Sequence, residues 1–442
     1  MALSPSTLRL LSLVEDIKIA IERDDASNTA TRPDLLAKIS KLRDAVEAPQ
    51  DSLLRILSQP LQNAALRVAV ELGLLEIISC ASSPTPEMGT TLAHLAGRSH
   101  GDSTLIARVM RVLTAMGICI EISHEHYISN PLNEVIVQPG YTAGVRFHFD
   151  VEIPAIIKLI ECLSKHRFQS PAYASESAFD YTFGASFFDW MKENPVTLRC
   201  FDLYMAGRRV GKASWLDYYP IHDRLIKSTD LKDTVFMVDI GGGHGHDLKS
   251  LKDKYGHEGL PGRLILQDIA AEKPKDTTAI FEFMHYNFFE PQPVKGMSSP
   301  KDLASWLPMP PKNRFKGLKR DDALSQFSQV LTVNINQGAR VYHLRAILHD
   351  WPTPICRTIL SHIADAMTPN YSKLIIREFI LPDTNVPLYT ACTDIRMMLL
   401  HAGMERTESQ WRELLNEFGL ELGGFWIVER GGEGVIEAVK KS

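Results

Sequence analysis

Val238-Asp239-Ile240-Gly241-Gly242-Gly243-His244-Gly245 decides the reading of this 442-residue chain. TVFMVDI (234–240) is a continuous apolar strand, and DLKSLKDKYG (247–256) reads as a helix. Glycines between them let the backbone turn without a Cβ clash and approach a ligand closely. A dinucleotide fingerprint would want a small residue at 246, where His246 stands. The spacing is G-x-G-x-G, which argues against a pyrophosphate loop. Asp239 places negative charge before the turn and suits an ammonium or sulfonium group. Asp268, ending the next strand RLILQD (263–268), is placed to accept hydrogen bonds from ribose hydroxyls. An adenosine with a cationic amino-acid tail meets both demands, and S-adenosyl-L-methionine is such a molecule. The competing reading is a purely structural glycine turn.

Outward from this turn, strands alternate with helices. ARVYHLRAILHD (339–350), a helix around CRTILSHIADAM (356–367), the strand KLIIREFIL (373–381) and two further helices precede a terminal pair of strands. This rhythm predicts an α/β fold with a parallel, doubly wound sheet over residues 226–442. Residues 1–140 read as helical, with the hairpin-like GICIEISHEHYISN (117–130) suggesting a winged-helix-like domain. Residues 141–225 read as a helical connector rich in aromatics, and Phe187 is a candidate for a pocket that takes a flat ring. Residues 297–337 carry scattered prolines and basic blocks with no consistent period, so they read as an atypical insertion. A surface insertion and a retained intron both fit.

Composition narrows the function. Lys+Arg is 48 and Asp+Glu is 53, a net charge of -5, where nucleic-acid proteins carry a basic excess. No apolar run reaches about 18 residues, so no membrane span is expected. Six scattered cysteines form neither a CxxC pair nor a Cys/His cluster, so no metal site is indicated and a reduced, cytoplasmic setting is expected.

Arg345-Ala346-Ile347-Leu348-His349-Asp350-Trp351-Pro352 places His349 at a strand-to-helix junction, on the sheet edge where such folds bind ligands. Glu378 lies inside the apolar strand LIIREFIL, where a buried carboxylate needs a partner. Glu405 lies in GMERTESQW, ahead of a helix with Thr407 at its N-cap. Together they form a candidate set of a base and the carboxylates that orient it.

VDIGGGHG (238–245), LILQDI (264–269), NFFEPQPV (287–294), LRAILHDWP (344–352), REFILPD (377–383) and DIRMMLLHAGMERTESQW (394–411) appear in this order. In that combination the chain resembles the S-adenosyl-L-methionine-dependent O-methyltransferases of the caffeic acid methyltransferase-like class, fungal secondary-metabolite type. The resemblance implies a Rossmann-like catalytic domain behind a helical, winged-helix-like dimerisation domain. It implies that Gly241 and Gly243 meet the methionine part of the cofactor and Asp268 the ribose, beside the Asp239 charge read above. Asn287-Phe288 stands near adenine, where the family usually has Asp and an apolar residue. Arg345 would lie near the cofactor and Trp351 against adenine. His349 would be the general base, with Glu378 and Glu405 around it. Asp394, Met397 and Met398 would line the acceptor pocket with Phe187, and a homodimer partner would help close it. The implied substrate is a small phenolic or polyketide-type metabolite. Some fungal proteins of this scaffold are pericyclases, which is the alternative.

Overall fold

A computed structural model describes residues 4–23, 32–82, 89–208, 210–227, 235–256, 259–269, 281–295, 338–428 and 430–441. The segment 297–337 lies outside the described residues. The chain divides into two compact units, residues 1–162 with 178–212, and residues 163–177 with 213–442.

The first unit is helical, with a core of Leu74, Ile78, Leu95, Met110 and Leu113. Its three-stranded antiparallel sheet has the order β1 (Thr90–Thr91), β3 (His126–Ile128), β2 (Ile120–Ser123). β2 and β3 form the hairpin that the alternating pattern predicted.

The expected connector 141–225 is not a body of its own. Phe147, Phe187 and Phe201 pack ring against ring inside the first unit. Trp215, Tyr219 and Leu225 instead pack with Phe236, Met237 and Leu248 in the second. Apolar area divides the stretch, because each aromatic group buries itself in the nearest core.

The second unit carries β4 (Val235–Ile240), β5 (Arg263–Asp268), β6 (Glu282–His285), β7 (Val341–Arg345), β8 (Lys373–Leu381), β9 (Arg406–Thr407), β10 (Leu420–Ile427) and β11 (Glu433–Lys440). The sheet order is β10-β11-β8-β7-β4-β5-β6, with β9 beside β8. The run β6-β5-β4-β7-β8 is parallel, as predicted. β11 is antiparallel to both β8 and β10, which corrects the expectation of an all-parallel sheet. Five residues separate β10 from β11, and a strand that pairs with its neighbour after so short a connection must reverse direction.

Both sheet faces are covered, which explains the unbroken apolar strands. Val238, Ile240, Leu344 and Ile376 pack with Ile359, Leu360 and Trp411 on one face. Met237, Leu266, Val341 and Ile375 pack with Leu248 and Leu251 on the other. From β4 the chain runs outward through β5 and β6, then crosses back to place β7 on the other side of β4. The strand order therefore reverses between β4 and β7. Open α/β sheets bind ligands beyond the carboxyl ends of the strands at such a reversal. Both motifs singled out above follow those two strands.

Candidate active site

The turn after β4 is shaped by left-handed glycines, with φ +67° at Gly241 and +57° at Gly243. The amides of Gly241 and Gly242 donate to the Gln267 carbonyl at 2.8 and 3.2 Å. The Gly243 amide donates to Asp268 Oδ2 at 2.8 Å, which brings the end of β5 against the turn. A Cβ on Gly241 would lie 2.6 Å from Ile347 Cδ1, whereas a Cβ on Gly243 would meet no atom within 4 Å. One side of the turn is thus pressed against the turn after β7, and the other opens outward.

An aromatic wall stands beside it. The Trp351 ring meets Phe289 edge-on with centroids 4.9 Å apart, and Phe288 at 6.0 Å. Asn287 Oδ1 accepts from the Phe289 amide at 3.2 Å, so this side-chain oxygen shapes its own loop.

The turn after β7 carries His349 in a single helical turn, Leu348–Asp350. Ala346 enters it at φ +50°, a conformation that strains a residue with a Cβ. His349 Nδ1–H donates to Glu405 Oε1 at 2.9 Å, which leaves Nε2 as the proton acceptor. The imidazole is 16% exposed and the Glu405 side chain 0%. Burial disfavours the imidazolium, but Glu405 and then Asp350 outweigh it and push the His349 pKa up to about 10.

Glu378 reaches the turn but not the ring. Its Oε1 accepts the amides of Ile347, Leu348 and His349 at 3.2, 2.6 and 3.3 Å. It fixes the backbone that carries the base, which corrects the expectation that both carboxylates surround the imidazole. The cause is register: Glu378 lies two strand positions beyond Ile376, which pairs with Leu344, and so sits under the first residues after β7. Burial pushes its carboxyl up to about 7, against the pull of His349.

Four other expected site residues are placed differently. Asp239 is 1% exposed, and its Oδ1 lies 2.8 Å from His343 Nδ1, beneath the turn and away from its open side. Arg345 pairs with Asp247 at 3.1 Å and Glu433 at 3.3 Å, so acids of its own unit hold its charge. Burial works against the Asp247 charge, yet Arg377 and Arg345 hold that carboxyl far below the usual carboxylate range. Asp394 Oδ1 accepts the Glu405 amide at 2.8 Å and so braces the imidazole's partner. Phe187 is 2% exposed among Phe147, Phe179, Phe188 and Phe201 and presents almost no ring surface to a ligand. On the helix Leu388–His401, Met397 is buried and Met398 half-buried.

Sequence reasoning missed Asp350, whose Oδ1 lies 3.5 Å from His349 Nε2 and 3.7 Å from His401 Nε2. It also missed Phe289, although both sit inside quoted motifs. Among the described residues no cluster of His, Cys, Asp or Glu could hold a metal ion, and no helix is long and apolar enough to cross a membrane.

A sheet of this strand order, with a glycine turn and a His–Glu pair at its switch point, is an α/β ligand-binding architecture. The O-methyltransferase domain family matches residues 329–421. Demethylsterigmatocystin 6-O-methyltransferase of Aspergillus flavus is 31% identical over 406 residues, 91% of this chain and 92% of that protein. Among solved structures, LepI in complex with SAM aligns with a TM-score of 0.75 at 23% identity, over 99% of this chain and 100% of that one. A structure described as a pericyclic reaction enzyme aligns with the same values. The chain belongs to the S-adenosyl-L-methionine-dependent O-methyltransferases.

The residues present fit that cofactor. Asp268 stands where ribose hydroxyls would meet a carboxylate, the open side of Gly243 would admit the amino-acid tail, and Phe288 with Trp351 would flank adenine.

Proposed function

We propose that this methyltransferase acts on a phenolic hydroxyl of a flat, polyketide-type aromatic, with His349 as general base. The His349–Glu405 bond of 2.9 Å carries the reading. It fixes one imidazole tautomer and raises the basicity of the other nitrogen. A phenol has a pKa of about 10. A base whose own pKa is pushed up to about 10 takes that proton with little energetic mismatch. When bound, S-adenosyl-L-methionine supplies an activated methyl group on a sulfonium that leaves readily. The chain's residues then need only deprotonate the acceptor oxygen and hold it in line, which positioning accomplishes. Asp268, Phe288 and Trp351 hold the cofactor, and the glycine turn lets its tail approach the main chain. Met398, still half-buried, is the lining residue retained for the acceptor.

The substrate class is supported by the demethylsterigmatocystin 6-O-methyltransferase relative. A homodimer is supported by the apolar side chains that the first unit leaves exposed, among them Leu8, Leu11, Ile157 and Ile160. A cytoplasmic setting is supported by cysteines that are all free thiols.

Incubation with methyl-labelled cofactor and a panel of phenolic polyketides tests the reading. Label transfer that His349→Ala slows about 100-fold or more, to a residual rate, is the expected result. Rearranged product without label would overturn it in favour of pericyclic chemistry.

A further inference from the structure

Arg406 follows Glu405 just before a helix, where an arginine ordinarily points to solvent. Here it is 2% exposed. Nη1 donates to the Leu348 carbonyl at 3.1 Å and the Met404 carbonyl at 3.3 Å. Nη2 meets the Trp351 carbonyl at 3.5 Å and Cys356 Sγ at 3.2 Å. The guanidinium lies over the Trp411 ring, 5.3 Å from its centroid. The short parallel pairing of β9 with β8 sets it there, with Arg406 opposite Ile380.

We propose that Arg406 is a positioning residue for methyl transfer, holding the carbonyl side of the His349 turn while Glu378 holds its amide side. The proposal rests on His349 being the base. The carbonyls of 348 and 351 bracket His349, and that of 404 precedes Glu405. One planar fork therefore ties together the two chain segments whose side chains form the His349–Glu405 bond. The Met404 amide, donating to the His349 carbonyl at 2.9 Å, runs alongside. A neutral donor such as Gln would reach one of these carbonyls, whereas the rigid guanidinium reaches three. Burying that charge is costly unless its donors are used, and here they are spent on the backbone of the catalytic turn.

The charge has a second effect. Burial raises the Glu378 carboxyl, and Arg406 is one of the groups pulling it back. Without that charge Glu378 takes up a proton more readily near neutrality. Its Oε1 then grips the three amides less firmly, and the turn loosens on both sides.

The experiment uses the full chain with Arg406→Met and Arg406→Lys, each alone and in Glu378→Gln and His349→Gln backgrounds. It reads kcat across pH 6.5–9.5, the dissociation constant of S-adenosyl-homocysteine, and Tm. We expect Arg406→Met to lower kcat about 100-fold at pH 7, the scale of an ångström-sized misplacement. The loss shrinks several-fold by pH 9.5 as Glu378 re-ionises, and Arg406→Lys recovers part of it. S-adenosyl-homocysteine binding stays within about threefold, the scale of a sub-kcal change. In Glu378→Gln the pH dependence of the Arg406→Met effect disappears, and in His349→Gln the effect itself does. A loss that is constant with pH and matched by weaker S-adenosyl-homocysteine binding would overturn the proposal, as would an undiminished loss in the His349→Gln background. Full activity of His349→Gln alone would instead overturn the base assignment. If Arg406→Met is insoluble, Arg406→Gln, which removes the charge but keeps a donor, is read across the same pH range and decides the same question.

Discussion

The turns after β4 and β7 lie side by side at the switch point and are built on opposite plans. The first is made of glycines, is held by main-chain bonds to Gln267 and one bond to the Asp268 carboxylate, and opens outward. The second holds His349 among side chains that arrive from elsewhere in the chain, with Glu378 beneath it and Glu405 beside it. A surface that must let a ligand touch backbone gains from having no side chains. A base must be fixed to within a fraction of an ångström, and only packed, bonded side chains do that. Under the proposed function the first turn carries cofactor affinity and the second proton transfer, so each should fail separately.

The sharpest break is Gly241→Val. It forces a β-branched residue to φ +67° and drives it into Ile347. Strain of about 1–3 kcal/mol at one such residue predicts cofactor binding weakened roughly tenfold or more. Titration calorimetry with S-adenosyl-homocysteine measures it, and the pH limb of kcat should stay in place.

Glu405→Gln tests the other turn. In the proposed mechanism the neutral imidazole is the active form, and its pKa is raised above 6.5 to about 10 by carboxylates, Glu405 foremost among them. Wild-type kcat should therefore climb with pH through the alkaline range. Removing the Glu405 charge should move that limb at least about one pH unit toward acid and lower the plateau, because the tautomer is no longer fixed. S-adenosyl-homocysteine binding should be unchanged. Stability follows the same linkage with its own sign. The raised pKa contributes stability that is fully present below pH 6.5 and is lost as pH rises through about 10. Thermal melts over that window should decline less steeply in the variant.

The smallest effect is expected from Ala346→Gly, which relieves a left-handed alanine at the entrance to the base turn. A gain below about 1 kcal/mol, partly offset by a looser unfolded chain, should appear as a Tm rise of a few degrees at most.

The glycine turn, the strands on both sides of it and the His349 junction were legible because each is encoded within a few consecutive residues. Thr407 at the N-cap of its helix, bonding the Gln410 amide, was legible for the same reason. Roles that depend on where a side chain points were less so. Asp239 and Arg345 were expected at the cofactor, yet in the folded chain they face His343 and Asp247. Asp394 and Glu378 were read as touching the acceptor and the imidazole, and both instead hold backbone.

The sequence by itself determined the alternation of elements, the glycine turn and the position of His349 at the end of β7, because local spacing and residue chemistry carry that information. Only the tertiary structure decided which carboxylate touches the ring, that β11 returns antiparallel, and that Arg406 lies buried against the catalytic turn. Those outcomes depend on register between strands far apart in the chain, and one step of register exchanges the side chains that face each other.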